Sequence, residues 1–134
     1  MKLGLYSFIL LMVITSCKDN TAPNLSDHEW EVISINDTEL SGTLPTLSFD
    51  LEKGKVNGNG GCNNFFGSVE IMGSSIKFGM MGSTKMMCID MTNEDLLFNN
   101  LDKVNSYTFE NGLLILSSEN NAVSLKLDHI SSTP

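Results

Sequence analysis

The sequence predicts an α+β fold that is mainly β: an antiparallel sheet curled into a partly open barrel, with one helix packed on it. Three observations predict this fold. Short stretches alternate apolar and polar residues, the links between them are short enough for hairpins, and a single stretch repeats its apolar residues at the helical period. With 134 residues, the chain has room for one domain.

The strands are predicted, in chain order, from the alternation of apolar and polar side chains. They are residues 30–35, 46–51, 56–58, 68–71, 76–78, 107–109, 113–116 and 123–127. In the second of them, Leu47, Phe49 and Leu51 fall on one face, which predicts a strand buried on that side. Hairpin turns are predicted at residues 52–55, 72–75 and 110–112, and the last contains the Asn-Gly pair that type I′ turns favour.

The one helix is predicted to begin at Thr92, as its N-cap, and to run for about three turns. Apolar side chains recur there at i, i+4 and i+7, namely Leu97, Leu101 and Val104. We expect the first two of them to face the concave side of the sheet. The helix macrodipole is a sufficient reason for the acidic residues near its start, which are Asp90, Glu94 and Asp95.

Residues 1–16 have the features of a cleaved signal peptide. Lys2 precedes an apolar run over residues 3–14, which is too short to span the roughly 30 Å of hydrocarbon in a bilayer. The run leads into Ile14-Thr15-Ser16-Cys17, which resembles the lipobox of bacterial lipoproteins. That resemblance implies cleavage before Cys17 and acylation of Cys17, whose acyl chains anchor the protein in a membrane.

The mature chain is predicted to have three segments. Residues 17–26 form a lipidated flexible tether, residues 27–128 form the domain, and residues 129–134 form a C-terminal tail. We expect a protein that is anchored in the cell envelope, at the outer membrane, and that faces the periplasm. Surface display is the alternative, because Lys18 and Asp19 partly resemble the export signal of lipoproteins in Bacteroidota-type bacteria.

The composition excludes several classes of function. The chain has 8 basic side chains, all of them lysine, against 16 acidic ones, for a net charge of −8. Such a chain is poorly suited to binding phosphates, so nucleic-acid binding is excluded. No serine lies in a Gly-x-Ser-x-Gly context, and His28 and His129 are expected to be solvated. We therefore expect no enzyme activity and no cofactor.

Two short patterns in the middle of the chain resemble the META domain, a family also called HslJ-like. Residues 60–67 (GGCNNFFG) and 84–88 (TKMMC) occur in the order and spacing of that family, after an early Trp30 and before a hairpin at 107–116. The residues that carry the motif are Gly61, Cys62, Asn63, Phe65, Gly67, Thr84, Lys85, Met86 and Cys88. The resemblance covers about residues 27–127. It implies a small antiparallel β fold with a helix, no enzyme activity, and an association with envelope maintenance, heat response or antibiotic tolerance.

Cys62 and Cys88 are the two cysteines that remain once Cys17 is lipidated. An even pair in an exported chain favours a disulfide, which would stabilise the fold by about 3.5 kcal/mol in the chain-entropy model. Two alternatives stay open. One is a pair of buried free thiols. The other is a Cu(I) site, for which the nearby soft donors would be Met80, Met81, Met86 and Met87.

The glycine-rich stretch 58–61 has neither the lysine nor the following helix of a phosphate-binding loop. We expect it to allow positive φ and close backbone approach at a bulge beside the strand of Cys62. The neighbouring amide, Asn63, is expected to hydrogen-bond loop backbone.

The function predicted from these observations is that of a non-enzymatic binding or protective module of the envelope, whose partner is another protein or an envelope component. One alternative is a barrel that holds a small apolar molecule or lipid in the mouth between sheet and helix. Another is a secreted hydrolase inhibitor that would use residues 79–84 as a protruding loop.

Overall fold

The computed structural model describes residues 24–130, which form nine strands and one α-helix. The helix, α1 (Thr92–Leu101), lies between the sixth and seventh strands. Two short 3-10 helices span Leu25–Asp27 and Glu119–Asn121. The strands are β1 (Glu29–Ile35), β2 (Thr38–Glu39), β3 (Thr46–Asp50), β4 (Lys55–Asn59), β5 (Asn64–Met72), β6 (Ser75–Ser83), β7 (Ser106–Glu110), β8 (Leu113–Ser117) and β9 (Ser124–His129).

All strand pairs are antiparallel, and the sheet closes on itself because β9 pairs with β1. The order around the barrel is β1, β3, β4, β5, β6, β7, β8, β9, with β2 added beside the end of β1. Among the described residues, a single pair, Ser75 with Ser106, joins β6 to β7. The barrel is therefore partly open between β6 and β7, as the sequence predicts. We call this gap the seam, and α1 packs there.

The two ends of the barrel differ. At one end, which we call the N-terminal end, Asp50 pairs with Lys55, and the indole of Trp30 donates to the carbonyl of Leu25 at 3.0 Å. At the other end, which we call the disulfide end, Asn59 pairs with both Thr46 and Asn64.

The core fills the barrel with buried side chains from every strand except β7 and the two-residue β2, together with α1 and the 3-10 helix at Leu25–Asp27. Strand β7 adds the half-buried rings of Tyr107 and Phe109. Leu25 is buried, so the folded domain begins before residue 27, and residues 1–23, with the predicted signal peptide and most of the predicted tether, lie outside the described part of the chain. The largest fully buried side chains are Trp30, Phe65, Leu47, Ile76, Leu97, Leu101, Leu114, Leu116, Leu125 and Leu127.

Helix α1 has about the three turns predicted, but Val104 is not part of it. It ends at Leu101, and Val104 reaches the core from the segment beyond the helix. The prediction for Leu97 and Leu101 is confirmed, since both are buried in the core. Burial of each stabilises the fold by roughly 1.5–3 kcal/mol. Within residues 24–130, no helix is long and apolar enough to cross a membrane.

Strands β5 and β6 are nine residues each, much longer than predicted. Residues 79–84 were predicted as a protruding loop, but 79–83 belong to β6, so the prediction of a loop there is wrong. The glycines of this segment serve close packing between strands. A Cβ on Gly82 would lie 2.8 Å from the ring of Phe66, which covers it from β5.

The glycine-rich stretch also differs from its prediction. Gly58 lies inside β4, where a Cβ would collide with the carbonyl of Thr46, and Gly61 has a φ of +114°. Close approach and positive φ are therefore as predicted. The predicted bulge is not there, because β4 pairs with β3 and with β5 without a register shift. The register shift nearby is that of β5 against β6, between Gly67 and Val69. Cys62 lies in the loop between β4 and β5, outside both strands.

Candidate functional site

A disulfide joins Cys62 to Cys88 at the disulfide end of the barrel, with the two Cα atoms 6.0 Å apart. The predicted disulfide is thus confirmed. Both alternatives for this pair are wrong, since buried free thiols and a Cu(I) thiolate site each require unbonded sulfur atoms. The bond ties the loop between β4 and β5 to residues 84–91, the segment between β6 and α1.

The side chain of Asn63 forms hydrogen bonds to residues 84–91. Its Oδ1 accepts from the backbone N–H of Met86 at 2.6 Å and from Oγ1 of Thr84 at 2.8 Å. Its Nδ2 donates to the carbonyl of Met86 at 3.1 Å and to Oε1 of Glu94 at 2.7 Å. The prediction that Asn63 forms hydrogen bonds to loop backbone is confirmed, and both polar atoms of its side-chain amide have two partners each.

Glu94 carries the same network into the helix. Its side chain is buried, with only 5 % exposure, and Oε2 accepts from the backbone N–H of Cys62 at 3.2 Å and of Asn63 at 2.6 Å. A Cβ on Gly60 would lie 2.8 Å from this carboxylate, which explains the glycine there. The sequence predicted Glu94 only as an acid near the macrodipole, and this prediction missed its role.

The start of α1 also differs from the prediction. The N-cap is Met91, and Thr92 is the first helical residue. The backbone N–H of Thr92 donates to Oδ1 of Asp90 at 2.9 Å. Hydrogen bonds from Thr92 hold the pKa of Asp90 below its usual value of 3.8, since they favour the ionised carboxylate. A second tie comes from Nδ2 of Asn93, which donates to the carbonyls of Ser41 and Thr43.

The remaining residues of the family motif support this end of the barrel. Phe65 is buried and packs edge-to-face on Phe98 of α1, with ring centroids 5.4 Å apart. Gly67 leaves room for Met81 across the β5–β6 pair. Lys85 is exposed beside the groove described below.

Residues 84–91 display apolar side chains to solvent, and we call this segment the apolar loop. Met87 is 92 % exposed, Ile89 is fully exposed, and Met86 is more than half exposed. The backbone beneath them is held by the disulfide and by Asn63. A fixed backbone that presents apolar side chains to water is typical of a binding surface.

A groove of about 340 Å³ lies beside the apolar loop, between the seam edge of β6 and α1. Its walls are partly apolar, from Phe78, Met81 and Phe98, and Lys85 and Asp102 also line it. This is the mouth between sheet and helix in which the sequence predicted a ligand as an alternative. The volume is at the lower end of the roughly 300–1,000 Å³ that ligand pockets have.

The two histidines lie far from this site. His28 and His129 contact each other at the N-terminal end, with ring centroids 5.2 Å apart and the rings tilted by 49°, and His28 also meets Trp30 edge-on. His129 belongs to β9 and pairs with Trp30, so the predicted C-terminal tail starts later than residue 129. Within residues 24–130, no group of three or more His, Cys, Asp or Glu side chains is arranged to hold a metal ion.

Solved structures with the same fold exist. An NMR structure of a protein from Burkholderia xenovorans has a TM-score of 0.61 and 22 % identity, over 80 % of this chain and 84 % of that one. A second NMR structure has a TM-score of 0.62 and 20 % identity, over 78 % and 91 % of the two chains. A crystal structure of a DUF4847 family protein from Bacteroides vulgatus ATCC 8482 has a TM-score of 0.57 and 12 % identity, over 81 % and 96 %.

At these identities the likeness concerns the fold alone. No curated protein matches the sequence. The sequence does match the META domain over residues 23–129, which includes both motif segments, the helix and all nine strands. META domains are not a known family of enzymes. From its sequence, its disulfide-linked motif and its barrel, this chain belongs to the META domain family.

Proposed function

We propose that the protein is a lipid-anchored module of the bacterial envelope that binds a partner protein without catalysis. The apolar loop is the binding surface in this proposal. Binding there would serve envelope maintenance under stress, including antibiotic tolerance, which is the association that the family resemblance implies.

The observation that carries the proposal is the combination of exposure and rigidity in the apolar loop. Exposed methionine and isoleucine side chains at Met87 and Ile89 gain nothing for the isolated fold. Holding their backbone in one conformation lowers the entropy lost when a partner binds. The filled core favours a protein partner over a ligand inside the barrel, because the interior is occupied by the domain's own side chains.

The position of the anchor supports the same surface. If Cys17 is acylated, only seven residues separate the membrane from Asn24, and they reach at most about 25 Å. Leu25 is at the N-terminal end of the barrel, so that end would face the bilayer. The apolar loop would then point away from the membrane, towards the periplasm when the anchor is on the inner face of the outer membrane.

The anchor has its own test. In cells fed a clickable fatty acid, the wild-type protein should be labelled and Cys17→Ala should not be. Labelling of the variant would contradict acylation at Cys17.

The binding surface is tested by a double substitution, Met87→Ser with Ile89→Ser, in the tagged and lipidated protein. The matched control is Met72→Ser, since Met72 is 84 % exposed but lies at the turn between β5 and β6, away from the apolar loop. After chemical crosslinking in intact cells, purification should recover a partner with the wild type and the control. The double variant should lose it while keeping its melting temperature. Equal recovery from all three proteins would overturn the proposal.

A further inference from the structure

The seam of the barrel leaves one long strand edge without a strand partner. Ser75 pairs with Ser106, and the backbone N–H of Ile76 donates to Asn105 at 3.1 Å. From Lys77 to Ser83, within the described part of the chain, no strand pairs with β6 on the side that faces α1. Seven residues of edge, about 23 Å, therefore border the groove.

The backbone donors along this edge follow from the alternation of an antiparallel ladder. Thr84 donates its N–H to Asn64 on β5, so the N–H groups of Ser83 and Met81 point the other way, into the seam. On the Ser75 side of the register shift, the backbone N–H of Ile76 points into the seam, and by the same alternation the N–H of Phe78 does so too. Three backbone N–H groups, at Phe78, Met81 and Ser83, are thus directed towards the groove.

The side chains around the groove add a charge pattern. Lys85 lies just beyond the end of β6 at the disulfide end, and Asp102 lies at the other end of the groove. Lys77 and Lys103 line the neighbouring cleft with Asp102 but do not line the groove itself. Between these two charges the groove is lined by half-buried apolar side chains, those of Phe78, Met81 and Phe98. A complementary segment carries an acid at one end, a base at the other and apolar residues between them.

We propose that an extended segment of the partner protein adds to the edge of β6 as an antiparallel strand, with its acidic end at Lys85 and its basic end at Asp102. Backbone hydrogen bonds to the seam-facing N–H groups give affinity, and the two charges fix the direction. This inference rests on the proposed function and deepens it, because it names the chemistry of the partner segment that the apolar loop flanks.

The test uses a synthetic heptapeptide, acetyl-Glu-Val-Thr-Val-Thr-Val-Lys-amide, and the isotope-labelled domain without its leader. Two matched peptides serve as controls. One is N-methylated at alternate amides, which removes strand hydrogen bonds but keeps the side chains, and the other has the Glu and Lys exchanged. The amides of Met81 and Ser83 should shift in NMR spectra and exchange more slowly with the first peptide. The N-methylated peptide should bind about tenfold more weakly or worse.

Two variants locate the site independently of the controls. Ser83→Pro removes a seam-facing N–H without removing a bond to β5, and Ser83→Ala keeps it, so binding should fall in the first and persist in the second. Lys85→Glu should reverse the preference between the heptapeptide and its charge-exchanged form. If Ser83→Pro fails to fold, the N-methylated peptide still decides the question.

Equal binding of the plain and N-methylated peptides would overturn strand addition, and so would an absence of binding by every peptide. Shifts confined to residues 86–89 would overturn it as well. Those results would not overturn the proposed function, because partner capture by the apolar loop is measured separately, with the double variant Met87→Ser and Ile89→Ser. Partner capture that is equal in that double variant and the wild type would overturn the proposed function instead.

Discussion

At the scale of single residues, Glu94 and Asn63 hold the disulfide end together. Both side chains are buried, and every polar atom in their two end groups has a partner. Buried polar groups are tolerated when they are hydrogen-bonded and are costly when they are not. The pair therefore fixes the backbone of the apolar loop and of the β4–β5 loop next to the disulfide.

Glu94→Gln tests this network. One oxygen of Glu94 accepts two backbone N–H groups and the other accepts the amide of Asn63, so a glutamine must direct its NH₂ at another donor in either orientation. We expect the free energy of unfolding to fall by about 1–3 kcal/mol. The measurement is urea unfolding of the oxidised domain. Asp95→Asn, an exposed carboxylate in the same helical turn, is the control and should change little, and an equal loss in both variants would contradict the account.

The second prediction at this scale concerns pH. The pKa of Asp90 lies below its usual value of 3.8 because Thr92 donates hydrogen bonds to its carboxylate. A lowered folded pKa means that the ionised form stabilises the fold, that this contribution is complete above 3.8, and that it is lost as pH falls through the lower folded value. Asp90→Ala should therefore have a lower melting temperature than wild type at pH 7, with a difference that shrinks towards pH 2. A difference that grows on acidification would contradict the assignment.

Some of these contacts are predictable from local sequence and others are not, for a physical reason. Asn63 stands beside glycines in a turn-forming stretch, where short amides commonly bond backbone. Glu94 has the position of an ordinary first-turn acid, and its partners lie more than 30 residues earlier in the chain. A local pattern cannot indicate such a distant contact. Thr92 was predicted as the N-cap because threonine is common at that position, but the N-cap is Met91 and Thr92 instead donates its N–H to Asp90.

At the scale of elements, the disulfide and the helix are the parts that set the geometry of the site. The bond joins the β4–β5 loop to the apolar loop, and Asn93 and Glu94 attach the first turn of α1 to the same region. The helix then crosses the seam with Leu97 and Leu101 in the core.

Replacing the cysteines, Cys62→Ala with Cys88→Ala, should lower the free energy of unfolding by about 3.5 kcal/mol. The apolar loop should also lose order, since one of its two attachments is gone. Chemical denaturation gives the first quantity, and amide hydrogen exchange at residues 84–91 gives the second. Unchanged stability together with unchanged exchange would show that the bond constrains nothing.

Leu101→Asp should unfold the domain or destabilise it by several kcal/mol, because it places an unpaired charge in a fully apolar position. Asn99→Asp, an exposed position on the same helix, adds the same charge and is the control. Thermal unfolding followed by circular dichroism compares the two. A melting temperature of Leu101→Asp equal to that of Asn99→Asp would place this face of α1 outside the core.

The strands were predicted best where side chains alternate and worst where packing across strands decides. The Asn-Gly turn between β7 and β8 has positive φ at both Asn111 and Gly112, as the predicted hairpin requires. In β6, by contrast, residues 79–84 were predicted as a loop, although Gly79 and Gly82 each allow a side chain of β5 to lie against the strand. The sequence shows the glycines but not the Ser68 and Phe66 side chains that need the space.

At the scale of the whole molecule, the barrel has different surfaces at its two ends. The first described residues and the two histidines are at one end, and the disulfide with the apolar loop is at the other. The family, the fold class and the disulfide were all predictable, because the motif segments and the alternation are local features. The exposure of the apolar loop was not, because it follows from where the barrel places that loop.

The claim that the apolar loop is the binding surface is tested most directly by site-specific photocrosslinking in living cells. A photoreactive amino acid replaces Met87 in one version of the full-length protein and Met72, the comparably exposed residue at the β5–β6 turn, in another. If the apolar loop binds the partner, a discrete crosslinked product should form from position 87 after irradiation and none from position 72. A product from position 72 alone, or equal products from both positions, would contradict that claim.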